Sequence, residues 1–160
     1  MPRITVERAR TDEDLECALK IWEAANHSRR RPAGPVRAAR VRAKVYASDL
    51  VLLAWYGERP AGMLVAEAFV DTTPHPDRGH IAMVFVDPAV WGSGVGTRLL
   101  RSVQDMDWSS LSVWTRTDNV RAQRLYAAAG FDDSGNRAHL QDGDVIMQLL
   151  WQRAAHDVAR

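Results

Sequence analysis

The stretch HIAMVFVDPAVWGSGVGTRLL, residues 80–100, decides the fold because a strand, a glycine-rich loop and a helix follow one another in it. Its first part is an almost unbroken apolar run, which is typical of a buried strand. Gly92, Gly94 and Gly96 come next, and apolar residues at helical spacing follow them. Because glycine lacks a Cβ atom, such a loop turns tightly and points backbone N–H groups at one bound group, and a helix N-terminus behind it favours an anion. The stretch therefore predicts a phosphate-binding loop.

Two common nucleotide-binding loops fit this spacing poorly. A mononucleotide P-loop requires Gly-Lys before Ser or Thr, whereas Gly96 is followed by Thr97 and Arg98, and the loop has no lysine. A dinucleotide fingerprint requires G-x-G-x-x-G and an acidic residue about 20 positions later, and the strand predicted around Val113 lacks that acid. The spacing therefore disfavours ATP and NAD as ligands of this loop.

The same stretch resembles motif A of the GNAT superfamily of acyl-CoA N-acyltransferases. In that motif a strand ending Val-x-Val is followed by Asp-Pro and then by Q/R-x-x-G-x-G/A, and here Trp91 stands where the family usually has Gln or Arg. The resemblance implies that the strand backbone pairs with the pantetheine arm of acetyl-CoA and that the loop binds its pyrophosphate. The cofactor-binding residues expected from motif A are Val84, Phe85, Val86, Trp91, Gly92, Ser93, Gly94, Val95, Gly96 and Thr97.

A second stretch, residues 113–131, resembles motif B of the same family, in which an Asn follows a strand and Leu-Tyr precedes Gly-Phe. The resemblance implies that Asn119 contacts the pantetheine arm or orients backbone. It also implies that Tyr126 donates a proton to the departing sulfur. Taken alone, Tyr126 has the helical spacing of an ordinary core aromatic residue. Four arginines on the two helices nearest the loop are candidates, as a group, for pairing with phosphate: Arg98, Arg101, Arg121 and Arg124.

Amine acylation also needs a base, because the amine must be neutral when it attacks. His80 lies on the strand at the position where the histone-acetylating branch of the family has a Glu base, and the ordinary pKa of imidazole, about 6.5, suits the task. The equal alternative is a half-exposed histidine at the start of a strand. Glu67 and Asp71 are further candidates, either for taking the proton or for binding a cationic acceptor, and His75 is expected in a loop.

Length and composition limit the number of domains, the partners and the metal sites that are expected of this chain. The chain has 160 residues, 46% of them apolar, which predicts a single domain. The resemblance implies that this domain, residues 1–160 with a core at about 4–151, is an N-acetyltransferase domain. Twenty-one basic and twenty acidic residues nearly balance, so neither nucleic acid nor a membrane surface is expected as a partner. The single cysteine, Cys17, excludes a disulfide framework and a thiolate zinc site, and no metal is expected. Without a long apolar run or a signal-like N-terminus, the predicted location is cytoplasmic.

The predicted order of elements, β-α-α-β-β-β-α-β-α-β-β, indicates an α/β protein and is also that of the GNAT fold. This fold implies a mixed central sheet of about seven strands with helices on both faces. Before the central strand, the expected elements are a strand at 4–6, helices at 11–26 and 36–48 around a basic loop at 28–35, a hairpin at 51–56 and 61–70, and a Pro-rich loop at 71–78. After the central strand, they are a helix ending near Asp107, a strand at 111–115, a helix at 119–129 and a hairpin at 131–152. Residues 154–160 are expected to fray.

The resemblance therefore implies an N-acetyltransferase that moves an acetyl group from acetyl-CoA directly to a primary amine of a small molecule or peptide. A non-catalytic acyl-CoA-binding or sensing domain of the same fold is the alternative, which Trp91 in place of Gln or Arg makes conceivable, and CoA binding is expected in either case. Arginines at 29–31 favour an acceptor with a carboxylate or phosphate, although charged runs usually only face solvent. An apolar acceptor site has its own candidate lining: Trp22, Tyr46, Trp55 and Trp114. A homodimer through the C-terminal hairpin, with Trp151, is a further expectation.

Overall fold

The computed structural model describes residues 1–154. The strands are β1 (Ile4–Arg8), β2 (Leu50–Tyr56), β3 (Arg59–Val70), β4 (Pro74–Val86), β5 (Ser110–Arg116), β6 (Asp132–His139) and β7 (Val145–Gln152). The helices are α1 (Asp12–His27), α2 (Pro35–Ala47), α3 (Val95–Gln104) and α4 (Val120–Ala128). A short 3-10 helix lies at Pro88–Val90. This is the predicted order. No helix in the described part of the chain is long and apolar enough to cross a membrane. The expected fraying concerns residues 154–160, and from residue 155 onwards these lie outside the described residues.

The strands form a seven-stranded mixed sheet in the order β1-β2-β3-β4-β5-β7-β6. Strand β4 pairs with β5 in parallel, whereas β2 pairs with β1 and β3, and β7 with β5 and β6, in antiparallel fashion. The predicted α/β class and mixed sheet are therefore confirmed. The described residues form two compact units, one of Met1–Ala66 with Met83–Leu99 and one of Glu67–Ala82 with residues 100–154.

In the first unit, α1 begins where the sequence predicts because Thr11 caps it. Thr11 Oγ1 accepts a hydrogen bond from the Asp14 N–H at 3.1 Å, and the Asp14 carboxylate accepts one from the Thr11 N–H at 3.3 Å. One face of the helix is buried, and Trp22, which sequence analysis offered as a lining residue for an acceptor, lies in this core with 5% of its surface exposed. Trp55 and Tyr46, two other proposed lining residues, hydrogen-bond to Glu7 and Glu16.

The basic loop after α1 is held by the buried side chain of Asn26. Its amide donates to the Ala33 carbonyl at 3.0 Å and accepts from the Ala33 N–H at 2.8 Å. Pro35 then begins α2, where a missing N–H costs nothing. Helix α2 buries Val41 and Val45, so the predicted loop and helix are both confirmed.

Helix α3 packs tightly on β3 within the first unit, and Gly62 makes this packing feasible. A Cβ atom at position 62 would lie 2.7 Å from Val95 Cγ1 and 2.9 Å from Leu99 Cδ1. Any larger residue would therefore push the first turns of α3 away from the strand. The close approach fixes the start of α3 against β3.

In the second unit, Arg153 stabilises the chain where α3 stops. Its guanidinium donates to the carbonyls of Gln104 at 2.7 Å and Trp108 at 3.1 Å, and also to that of Met106. It thus supplies donors to carbonyls at and after the helix end, which at Gln104 has no partner inside the helix. The prediction that α3 extends to about Asp107 is therefore wrong by one turn.

Strand β4 begins at Pro74, so the predicted Pro-rich loop at 71–78 is wrong in its second half. Phe69, near the end of β3, packs against this part of β4. The Arg78 guanidinium lies 4.4 Å from the centre of the Phe69 ring, and the His75 ring centre lies 5.9 Å from it. The fixed φ of proline is compatible with extended backbone, and these contacts stabilise residues 74–78 in it. His75 therefore lies in a strand and not in a loop.

Candidate functional site

The second half of β4 is less covered than sequence analysis predicted. Residues 82–86 are all apolar, yet each is only half-buried, so the prediction of a fully buried strand is wrong here. Among the described residues, the parallel ladder with β5 ends at the pair Ile81 and Val113, whereas β5 continues to Arg116 in its pairing with β7. An apolar strand that is partly open along one edge has surface and backbone groups available for a ligand.

The loop after β4 owes its shape to two glycines with positive φ. Gly92 has a φ of +79° and Gly94 one of +97°, a region that other L-residues rarely adopt. A Cβ atom at Gly92 would meet nothing within 4 Å, and one at Gly94 would meet only Ile4 Cδ1, at 3.6 Å. Backbone conformation, and not crowding by neighbouring protein atoms, therefore requires glycine at these two positions.

The loop leads directly into α3. Gly94 accepts a hydrogen bond from the Arg98 N–H at 3.0 Å, so Val95, Gly96 and Thr97 occupy the first three helical positions. The N–H groups of such positions have no acceptor inside the helix, and the helix dipole makes them a site for an anion. Ser93 instead donates its hydroxyl back to the Val90 carbonyl and so stabilises the loop itself. The arrangement suits a phosphate group.

Trp91, the residue that departs from motif A, connects the loop to the strand by a hydrogen bond. Its indole Nε1 donates to the Val86 carbonyl at 3.0 Å, and the residue keeps 44% of its surface exposed. Asp87 fixes the intervening turn by accepting from the Ala89 N–H at 2.9 Å and from Arg59 Nη2 at 2.7 Å. Partial burial opposes ionisation of Asp87, but these two hydrogen bonds hold its pKa below the ordinary value. The strand end, the turn and the loop therefore form one connected part of the first unit.

Asn119 and Tyr126 belong to α4 and its cap in the second unit. Asn119 Oδ1 accepts from the Ala122 N–H at 3.1 Å, so this side chain orients the backbone at the start of α4. Tyr126 is 5% exposed, and its ring meets that of Phe131 edge to face at 5.6 Å. Burial raises the pKa of the Tyr126 phenol, which is therefore protonated at neutral pH. Such a phenol packs in the core and can also donate a hydrogen bond.

His80 has a partner that sequence analysis missed. Its Nδ1 lies 2.9 Å from the hydroxyl of Ser112, which is 3% exposed and faces His80 across the parallel ladder. Only the register between β4 and β5 identifies Ser112, because 32 residues separate the two in the chain. His80 is therefore a candidate base with a buried neighbour that orients its ring.

Of the other acid-base candidates, Asp71 is placed less favourably. The Thr73 N–H and His75 both hydrogen-bond to Asp71 and lower the pKa of its exposed carboxyl, which makes it a weak base. Glu67 is half-buried on β3. The four candidate phosphate-binding arginines are all exposed, two on α3 and two on α4: Arg98, Arg101, Arg121 and Arg124.

Both stretches that define the candidate site fall within a known family profile. The model of the acetyltransferase (GNAT) family matches residues 13–131. The N-alpha-acetyltransferase RimI of Mycobacterium tuberculosis is 37% identical over 87 residues, which are 52% of this chain and 54% of that protein. The chain spans about half or less of the length of the curated relatives it matches.

Solved structures show the same fold over nearly the whole chain. The ribosomal-protein-S18-alanine N-acetyltransferase from Escherichia coli superposes with a TM-score of 0.71 at 17% identity, covering 97% of this chain and 98% of that one. The structure of yncA from Salmonella typhimurium with its cofactor acetyl-CoA superposes with a TM-score of 0.64 at 18% identity, covering 96% of this chain and 95% of that one. At such identities the likeness establishes the fold alone.

Proposed function

Because the chain belongs to the GNAT acetyltransferase family, we propose that it transfers an acetyl group from acetyl-CoA to a primary amine of a peptide or small molecule. The observation that carries the proposal is the loop with Gly92 and Gly94 at positive φ, placed between a half-buried strand and the start of α3. The name of the mycobacterial relative specifies an N-alpha-acetyltransferase, which favours a peptide α-amine as the acceptor. A cytoplasmic location and a homodimer remain predictions from the sequence.

The loop and strand provide groups of the kind that acetyl-CoA requires. The N–H groups of Val95, Gly96 and Thr97 would bind the pyrophosphate, and the backbone of residues 84–86 would pair with the amides of the pantetheine arm. Bound acetyl-CoA supplies the acetyl group as a thioester. No charged side chain is needed at position 91, because backbone N–H groups would bind the pyrophosphate.

Three groups of the chain would carry the chemistry. A backbone N–H of β4 would donate to the oxygen on which negative charge develops. His80 would accept the proton of the amine at Nε2, while Ser112 accepts the Nδ1 proton and so fixes the tautomer. The Tyr126 hydroxyl would hold the proton that the departing sulfur receives.

The alternative is an acyl-CoA-binding domain without turnover. The alternative arises from the departure at Trp91, where the family usually has Gln or Arg and where the indole here donates to the Val86 carbonyl. Both functions need the same loop, so binding alone does not separate them. Turnover does.

The loop geometry makes a prediction about binding that holds for both functions. An L-residue with a side chain costs on the order of 1–3 kcal/mol in the backbone region of Gly94, so Gly94→Ala is expected to weaken acetyl-CoA binding about tenfold. Gly34→Ala is the matched control, because Gly34 has a φ of −89° and open space around it. Calorimetric titration of both variants checks this. Equal affinities would mean that the loop does not bind the ligand.

Release of free thiol from acetyl-CoA tests the proposed function itself. The purified chain is incubated with acetyl-CoA and a panel of amines that includes short peptides with free N-termini, peptides with blocked N-termini but free lysines, and small polyamines. We expect thiol release that depends on an acceptor, together with an acetylated product seen by mass spectrometry. Tight acetyl-CoA binding without thiol release over the whole panel would instead favour the sensing domain.

A further inference from the structure

One cavity of the second unit is surrounded by polar side chains. It has a volume of about 330 Å³ and lies near the beginnings of β4 and β5 and the end of β7. Small-molecule sites in proteins have volumes of about 300–1,000 Å³, so a small ligand fits here. The polar lining residues carry two guanidinium groups, one carboxylate, two hydroxyls and one amide: Asp77, Arg78, Ser109, Ser110, Gln152 and Arg153.

The cavity lies on the face of the sheet that carries His80. The parallel ladder from Arg78 onwards pairs consecutive residues of β4 and β5 without a shift, so side chains alternate regularly between the two faces. Arg78 and His80 therefore share one face, and their Cα atoms are about 7 Å apart. Leu150, which also lines the cavity, is the cross-strand neighbour of Ser112, the residue that orients the His80 ring. The cavity thus extends to the proposed base.

Arg78 is held in place, and its donors are not used by the described residues. Its guanidinium lies 4.4 Å from the centre of the Phe69 ring, a contact that restricts the side chain without occupying its N–H groups. Among residues 1–154 the Arg78 side chain takes part in no ion pair and no hydrogen bond. The other guanidinium of the cavity, that of Arg153, donates to three backbone carbonyls at and after the end of α3. Arg78 is therefore the cation that a ligand would meet.

The groups around Arg78 favour a carboxylate as its partner. The planar fork of guanidinium N–H groups matches the two oxygens of a carboxylate. Asp77 lines the same cavity, with its carboxylate 3.4 Å from the Ser109 hydroxyl, and its negative charge disfavours a doubly charged anion such as phosphate. Ser110 and Gln152, which pair across β5 and β7, have a hydroxyl and an amide that can donate further hydrogen bonds. A single negative charge with oxygen acceptors suits this lining.

We propose that Arg78 binds a carboxylate of the acceptor, a few bonds from the amine that His80 deprotonates. This inference rests on the proposed function and names its acceptor class. Because the two side chains leave the same face of β4 only two residues apart, one small acceptor can contact both at once. The carboxylate belongs either to a free amino acid or to the side chain of the second residue of a peptide. In both cases Arg78 selects acceptors with a negative charge beside the amine.

NMR titration of the isotopically labelled full chain in the presence of CoA measures acceptor binding without turnover. The ligands are pairs that differ only in a carboxylate and its amide. One set consists of free amino acids and their α-amides, and the other of tripeptides with a free N-terminus and Asp or Glu at the second position, with their Asn or Gln counterparts. In one set at least we expect the carboxylate member to bind about tenfold more tightly. The set that shows this preference identifies the source of the carboxylate.

Two variants remove the proposed partner in different ways. Arg78→Gln should abolish the preference, so that both members of each pair bind within about twofold of each other. Ser110→Asp keeps Arg78 on the Phe69 ring but places a competing carboxylate opposite it in the ladder, and should abolish the preference as well. This second variant decides the question if Arg78→Gln does not fold. The matched control is Arg10→Gln, which removes an exposed arginine of the first unit and should leave the preference unchanged.

The outcomes separate this proposal from the proposed function. Equal binding of both members in every pair, or a preference that survives in either folded variant, would overturn the proposal. Tighter binding of inorganic phosphate than of every carboxylate ligand would overturn it as well. If the proposed function fails instead, thiol release is absent with every acceptor, while a preference in binding that depends on Arg78 persists.

Discussion

Tyr126→Phe is expected to lower kcat for acetyl transfer by about 10²-fold or more, because it removes a proton donor and little else. The phenylalanine ring keeps the edge-to-face contact with Phe131 and fills the same buried space. Steady-state thiol release gives kcat, and calorimetric titration gives the affinity for acetyl-CoA, which should change less than threefold. Burial raises the pKa of Tyr126, so its hydroxyl stays protonated up to pH 10 and should impose no fall in rate below that pH.

Thermal unfolding provides the control for Tyr126→Phe. A melting temperature within a few degrees of the wild-type value shows that the α4 region is intact. A variant that is intact and retains full kcat would contradict the role of Tyr126 as proton donor and would leave it as a core aromatic residue.

His80→Gln is expected to lower kcat/KM by about 10²-fold near pH 8, because glutamine cannot accept the proton of the attacking amine. A histidine base must be deprotonated to act, so the wild-type rate should fall towards acid pH, and this fall should be absent in the variant. The measurement is kcat/KM for one peptide across pH 5.5 to pH 9. The glutamine amide corresponds in position to Nε2 of the imidazole, so His80→Gln also loses the hydrogen bond from Nδ1 to Ser112, and Ser112→Ala measures the effect of that loss by itself.

Ser112→Ala separates the chemical role of His80 from a merely structural one. The variant leaves the imidazole in place but removes the partner of its Nδ1, so a smaller loss of about tenfold is expected, together with a shifted pH profile. If Ser112→Ala and His80→Gln both preserve the wild-type pH profile, another group is the base. Glu67→Gln would then be the next variant to measure.

The loop and its glycines were predictable from sequence because their signal is local. Positive φ at Gly92 and Gly94 depends on residue type, and the helix that follows has its own apolar spacing. The cap of α1 by Thr11 was equally predictable, since a hydroxyl and a carboxylate three residues apart form a capping box. Local chemistry thus determined the elements around the site.

The exposure of β4 does not follow from its own residues, because it depends on contacts between distant segments, and only the resemblance to motif A implied a strand with backbone groups left for the pantetheine arm. An apolar run such as residues 82–86 looks the same whether or not a neighbouring strand continues beside it, and the ladder with β5 ends at Ile81. The pairing of His80 with Ser112 depends on the same register. The early start of β4 is accompanied by contacts of His75 and Arg78 with Phe69 on the neighbouring part of β3, which the order of residues does not reveal. Such features require the tertiary structure.

Side-by-side calorimetric titration of the purified chain with acetyl-CoA, CoA and ATP at one moderate salt concentration tests the central claim most directly. The proposed site predicts binding of acetyl-CoA and CoA with micromolar dissociation constants and one ligand per chain, and no heat from ATP at the same concentrations. Binding of ATP alone, or of none of the three, would contradict the assignment of the loop between β4 and α3 as an acetyl-CoA site.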